Sequence, residues 1–193
     1  MRQTRAQRLD HVQKVATRHI MERGFDRVSV NELAEDLGMS VGGLYRYIQT
    51  KSDLLVMACE SIYGGLRERL AEVATGADLE LDDKLRLMIG TYLAECVRNR
   101  DQILLMYREY RHLPDQAHRQ YQEREVGISS TFADVISTGV RRGEFRPVEA
   151  LVLAQDIILL GHLPALKGWA LRGTEPKIVA DEQIELVMSR LLP

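Results

Sequence analysis

The residues from Ser40 to Lys51, Ser-Val-Gly-Gly-Leu-Tyr-Arg-Tyr-Ile-Gln-Thr-Lys, set an arginine, two tyrosines and a lysine beside two adjacent glycines. Arginine binds phosphates and base edges, and a tyrosine hydroxyl donates to phosphate. The spacing predicts a short helix, and each glycine there costs roughly 0.8–1 kcal/mol relative to alanine. A core helix gains nothing from that cost, whereas a helix whose backbone must approach another surface does. These residue types together point to a polyanionic partner.

A second concentration lies further on. Met106, Tyr107, Arg108, Tyr110, Arg111 and His112 crowd one short segment, and Tyr121, Arg124 and Phe132 follow on the next. With Met88, Tyr92 and Trp169 they supply aromatic and methionine walls carrying few polar groups, the composition of a small-molecule pocket. Taken singly, each fits ordinary packing with snorkelling arginines; as a set they favour a pocket. Glu109-x-x-His112 has the i, i+3 spacing of di-iron helical bundles, which need two such pairs and two further glutamates. The nearest second pair, Asp115-x-x-His118, lies across Pro114, so no metal is expected. With no nucleophile–base set, glycine-rich phosphate loop or zinc spacing, neither catalysis nor a cofactor is expected.

Composition narrows the partners. The 193 residues carry a net charge of −2, which alone argues against nucleic acid, but the charge is uneven. Residues 1–51 hold nine Lys/Arg against six Asp/Glu, and the remainder holds seventeen against twenty-two. A basic head on an acidic body implies that the head alone meets the anionic partner. Cys59 and Cys96 fall in helical patterns and read as reduced thiols. No apolar block opens the chain, and the run Leu151–Leu166 is broken by Gln155, Asp156 and His162, so a cytoplasmic protein without a membrane span is expected.

Helical periodicity recurs throughout and strand alternation is absent. Leu9, Val12, Ala16 and Ile20 make one stripe, ended by Gly24. Ser29-Val-Asn-Glu32 reads as a capping box opening a helix that Gly38 stops, and Ser40 caps the next, with Leu44 and Ile48 inward. Thr50-Lys-Ser-Asp53 reads as a second box opening a long helix through Leu54, Leu55, Ala58, Ile62, Leu66 and Leu70. Further helices are expected at about 82–99, 101–112, 114–142, 147–171 and 177–192, with Pro147 in a first turn and Pro164 as a kink.

The second and third helices, joined by Gly38-Met39, form a helix-turn-helix, whose second helix lies in the major groove. Ser40 and the first amides then face a phosphate. Val41, Gly42 and Gly43 meet base edges, and Arg46 takes guanine or a phosphate. Tyr45, Tyr47 and Lys51 suit backbone contacts, as does Ser29 at the preceding cap. Arg5 or Arg2, in an N-terminal arm, reaches the adjacent minor groove.

The pattern Gly24-Phe25, Ser29-Val30-x-x-Leu33-Ala34, Gly38-x-Ser40-x-Gly42-x-Leu44-Tyr45-x-Tyr47 and Lys51-x-x-Leu54-Leu55 resembles the TetR family of bacterial repressors. The specific part covers about the first 60 residues. Gly43 departs from it, where the family usually has a side chain, and Ile48 replaces the usual Phe. The resemblance implies an all-α fold of about nine helices. A helix-turn-helix domain over residues 1–50 would be a three-helix bundle, followed by a ligand-binding and dimerisation domain over 51–193. It implies a homodimer on a palindromic operator, released by a small molecule. The body is similar to the branch of the family that senses acyl-coenzyme A thioesters; Arg108, Arg111 or Arg124 would suit the anionic end of such an effector. The expected dimer face is Leu151, Ala154 and Ile158 with Ile184, Val187, Met188 and Leu191, from the last two helices.

Overall fold

The computed structural model describes residues 4–60, 63, 65–76 and 79–192, with the side chains of 58–60 set aside. Thr4 opens the first helix. Its hydroxyl accepts the Gln7 amide at 3.2 Å while Gln7 Oε1 accepts the Thr4 amide at 2.9 Å. Two donors that no helical carbonyl reaches are thereby satisfied. Ten α-helices follow in order among the described residues, with no strand: α1 Arg5–Arg23, α2 Val30–Asp36, α3 Val41–Leu44, α4 Lys51–Glu60, α5 Leu66–Thr75, α6 Leu81–Arg98, α7 Arg100–Glu109, α8 Asp115–Arg142, α9 Ala150–Lys167 and α10 Pro176–Leu191. Short 3₁₀ turns occupy Phe25–Arg27 and Tyr110–His112.

The chain packs as two units. One is Met1–Ile62 with Asp101–Arg119; the other is Tyr63–Arg100 with Gln120–Pro193. The unit that holds the head therefore extends past residue 50 and recruits a distant segment. Its core is Val12, Ala16 and Ile20 of α1, Leu33 and Ala34 of α2, Leu44, Ile48, and Leu54 and Leu55 of α4, each at most 2% exposed. Leu9 belongs to the stripe by spacing but is 43% exposed. In the second unit α6 packs against α5, α9 and α10. Leu85, Met88, Ile89, Phe132, Ile136, Ile157 and Met188 are fully buried there.

Three elements depart from the sequence reading. The long helix expected from Thr50 to Leu70 is two helices, because Gly65 takes a left-handed conformation (φ 65°) and caps α5; Ile62 lies outside the described residues. Pro147 is not in a first turn. The Arg146 amide is drawn off to Leu191 O at 2.7 Å, and the helix waits until Ala150. Pro164 does not stop α9, which runs to Lys167. The carbonyl of Leu160, which Pro164 has no amide to satisfy, accepts Gln183 Nε2 at 3.0 Å instead. At 18 residues α9 is, by length and composition, long and apolar enough to cross a membrane, contrary to the shorter run read from the sequence; it packs against α6 and α10.

Candidate functional site

The turn between α2 and α3 is built from backbone. Gly38, at φ 61°, donates to Glu35 O at 2.9 Å, and the Met39 amide reaches back to Ala34 O at 3.0 Å. This left-handed cap closes α2 and redirects the chain within two residues. Ser40 Oγ then accepts the Gly43 amide at 3.1 Å and starts α3, which lasts a single turn before Tyr45–Tyr47 continue as turn. The cap at Ser29 is half a box. Ser29 Oγ accepts from Glu32 N at 3.5 Å, but the Glu32 carboxylate is taken by Arg23. At Thr50 the other half forms: Asp53 Oδ2 accepts the amides of Gln49 and Thr50 at 2.6 and 2.8 Å, and Thr50 donates its hydroxyl to Oδ1. Desolvation opposes ionisation of Asp53, yet these donors prevail and hold its carboxyl below the usual range.

The two adjacent glycines are not equivalent. Gly42 is exposed, and a Cβ there would meet nothing within 4 Å. Gly43 is buried, and its Cβ would stand 3.2 Å from Ser40 Oγ, the atom that caps the helix. Gly42 thus offers the close backbone approach, and Gly43 protects the cap. Tyr45 and Arg46 are exposed; Val41 and Tyr47 are half-buried. Lys51 is committed internally: Nζ donates to Asp26 O at 2.9 Å and stands 4.9 Å over the Phe25 ring. Arg5 is the first residue of α1 and belongs to no free arm, while Arg2 lies outside the described residues.

The same unit contains much of what the sequence suggested for a pocket. Arg108 donates to Met21 O at 3.2 Å. His112 sets one ring nitrogen 3.1 Å from Glu109 Oε2, the other 3.3 Å from Asp26 Oδ1, and its ring against Phe25. Glu109 is buried, so the Glu109/His112 pair ties α7 to the turn before α2. His118 bonds Tyr110 O at 2.6 Å, with the two rings 4.4 Å apart. Met106 is buried; Tyr107 and Arg111 are exposed. On the opposite side of α1, Asp36 holds His19 Nε2 at 2.7 Å and Arg18 at 3.2 Å; the His19 hydrogen bond keeps the Asp36 carboxyl below its ordinary range.

Met88, Tyr92, Tyr121 and Phe132 belong to the second unit, where the sequence missed their partner. His162, visible only as a breach in an apolar run, is fully buried. Its Nε2 lies 2.7 Å from the Tyr63 hydroxyl and 3.2 Å from that of Tyr92, which donates to Ile158 O at 3.1 Å. Phe132 packs edge-on to Tyr92, and Tyr121 donates to Glu125 at 2.8 Å. Burial pushes the imidazole down to about 4, lifts both phenols well above their ordinary value and raises the Cys96 thiol to about 12. At neutral pH these groups can exchange hydrogen bonds but carry no charge. Arg124 is exposed on α8, and Trp169 is 66% exposed in the turn after α9. Of the expected dimer residues, Ala154, Ile158, Val187, Met188 and Leu191 are consumed by this unit's own core; Leu151 is exposed and Ile184 half-buried.

A capped two-helix unit whose second helix is open and is followed at once by an exposed arginine defines a DNA-binding regulator of the helix-turn-helix class. Residues 14–58 match the model of the bacterial regulatory proteins of the tetR family, and residues 78–189 match the tetracyclin repressor-like C-terminal domain. The chain belongs to the TetR family and is a transcriptional regulator. It is 23% identical over 164 residues to the HTH-type transcriptional regulator HbdR of Aromatoleum sp. (strain CIB), covering 85% of this chain and 71% of that one. Its fold is shared with a tetR-family regulatory protein from Rhodococcus RHA1 (TM-score 0.82, 21% identity, 98% of each chain). It is also shared with FadR from Bacillus subtilis in complex with stearoyl-CoA (TM-score 0.74, 18% identity, 94% of this chain and 98% of that one).

Proposed function

We propose that the chain is a repressor that holds a palindromic operator as a homodimer and releases it when a small hydrophobic or acyl-CoA-like effector binds the body. The observation that carries the reading is the open face of α3. Gly42 leaves the backbone bare on a helix anchored by Ser40, and Tyr45 and Arg46 stand exposed in the turn that follows it. Ser29 and Ser40 sit at helix starts where hydroxyl and amides suit a phosphate. Val41 suits a thymine methyl, and Tyr47 the backbone. Residues 1–50 would carry DNA binding and 51–193 ligand binding and dimerisation, without catalytic chemistry. A protein acting on bacterial operator DNA works in the cytoplasm.

The dimer reading keeps Leu151 and otherwise moves to different residues from those the periodicity suggests. Leu151, Val152 and Leu159 of α9 and Leu186 of α10 are each at least 57% exposed, and apolar side chains left out on adjacent helices suit a four-helix contact with a second copy. Two recognition helices would then stand about one DNA turn, ~34–36 Å, apart. The effector reading is supported by the likeness to FadR with stearoyl-CoA and by the uncharged aromatic core, which suits an apolar chain.

Gel shifts on the DNA upstream of the protein's own gene test this. Arg46→Ala is expected to lose discrimination between operator and scrambled duplex by roughly 1–3 kcal/mol. Tyr45→Phe should weaken both duplexes alike. One or more of a chain-length series of acyl-CoA thioesters should dissociate the wild-type complex. An Arg46→Ala protein as selective as wild type overturns the DNA reading, and indifference to every thioester overturns the effector reading.

A further inference from the structure

Two rungs in register hold α2 to α1. His19 and Arg23 stand one turn apart on α1, Glu32 and Asp36 one turn apart on α2, and the pairs formed are Arg23 with Glu32 and His19 with Asp36. The rungs sit at opposite ends of α2, which is seven residues long. They differ in burial. Arg23 and Glu32 are both exposed, and such a pair contributes little in water. His19 is 2% exposed, and its Nε2 lies 2.7 Å from Asp36 Oδ2. Its Nδ1 is buried with no hydrogen-bond partner among the described residues. An apolar side chain of similar bulk would carry no such penalty, so packing alone does not account for an imidazole here. Its use is the bond to Asp36.

Asp36 is the last residue of α2, where a carboxylate opposes the helix dipole and no basic residue in the last turn of α2 offsets it. Helix α1 supplies the donors instead, His19 and, at 3.2 Å, Arg18. The segment beyond Asp36 takes its direction from this end. The turn is fixed by the Gly38 amide on Glu35 O and the Met39 amide on Ala34 O, both carbonyls of α2. The single turn of α3 has its own cap at Ser40 and packs chiefly against α2. We propose that His19 is a positioning residue for DNA recognition: through Asp36 it fixes the end of α2 on α1, and with it the angle at which α3 and the exposed Tyr45 and Arg46 are presented. Sealed beneath the surface, His19 acts without touching DNA. The role rests on the helix-turn-helix alone and is independent of the effector.

The test uses the full-length protein and four variants. His19→Leu keeps the bulk and removes the donor, and Asp36→Ala breaks the same bond from its exposed side. His19→Gln restores an N–H within reach of Asp36, and Arg23→Ala cuts the exposed rung. Gel shifts compare the duplex upstream of the protein's own gene with a scrambled one, beside urea midpoints and amide hydrogen exchange. His19→Leu should weaken the upstream duplex about tenfold, the equivalent of one hydrogen bond to a charged group. The scrambled duplex, held by phosphate contacts, should change by less than about twofold, and the urea midpoint should stay near that of wild type. The amides of Met39 and Gly43 should exchange about tenfold faster. Asp36→Ala should repeat both losses, His19→Gln should recover most of each, and Arg23→Ala should show neither. Three results would overturn the role: wild-type operator affinity and exchange in both His19→Leu and Asp36→Ala; a loss shared equally by the two duplexes, which marks a structural part only; or His19→Gln no better than His19→Leu. A wild type with no preference for the upstream duplex counts against the proposed repression, and exchange at Met39 and Gly43 then decides the positioning.

Discussion

The recognition segment and the aromatic core use the same residue, glycine, for opposite ends. At Gly42 the space beyond the Cα is open to 4 Å, which suits the close approach of an outside surface. At Gly161 a side chain is absent because the inside is already full: a Cβ would lie 2.3 Å from the Tyr92 ring and 2.9 Å from Cys96 Sγ. The head is a set of local hydrogen bonds around a backbone left free for a partner. The core is a long-range packing solution with polar groups sealed inside it. Identical composition at two positions therefore says little until the neighbours are known.

The largest expected effect follows from that contrast. Gly161→Ala should destabilise the protein by about 3 kcal/mol, the upper range for overpacking a filled core. Gly42→Ala should leave stability equal or raise it by up to ~1 kcal/mol while weakening operator binding. Urea midpoints for both variants beside a gel shift separate the two, and equal midpoints would break the comparison.

Next is pH. His162 is held near 4 by burial, below the 6.5 of a free imidazole, so the unfolded chain binds the proton more readily than the folded one. The stability it contributes is present above pH 6.5 and is lost as pH falls from 6.5 towards 4. Between pH 7 and 5 the loss is about 2 kcal/mol. His162→Gln should flatten that part of the profile, measured as urea midpoints across the range. A wild-type profile no steeper than the variant's would show that the imidazole is not sealed.

The smallest effect tests the head. Ser40→Ala removes the hydroxyl that accepts the Gly43 amide and should cost about 1 kcal/mol. Because α3 is a single turn, the loss should appear in hydrogen exchange of the amides at Gly43 and Leu44 before it appears in global unfolding.

How much of this was legible in the chain differs between the two regions. In the head the fold was almost readable: Gly38, Ser40 and Asp53 act on amides within five residues of themselves, and their positions in the sequence name their partners. What local spacing does not show there involves distant chain. Lys51, whose type suits phosphate, also donates to the Asp26 carbonyl, and Glu32 leaves its box for Arg23 nine residues back. The pocket list fared differently. Its members share a composition, yet residues 106–111 fall in one unit and Tyr92, Tyr121 and Phe132 in the other.

The sequence by itself determined the all-helical pattern, the caps at Ser40 and Asp53, the turn at Gly38 and the family, because those depend on bonds and periodicities a few residues long. Tertiary structure alone decided that His162 meets Tyr63 and Tyr92, 99 and 70 residues away, and that Glu109 and His112 tie down the turn before α2. It also decided which apolar residues of α9 and α10 are spent inside and which remain outside. Periodicity marks an apolar face, but only the packed neighbours determine how far round the helix the core extends.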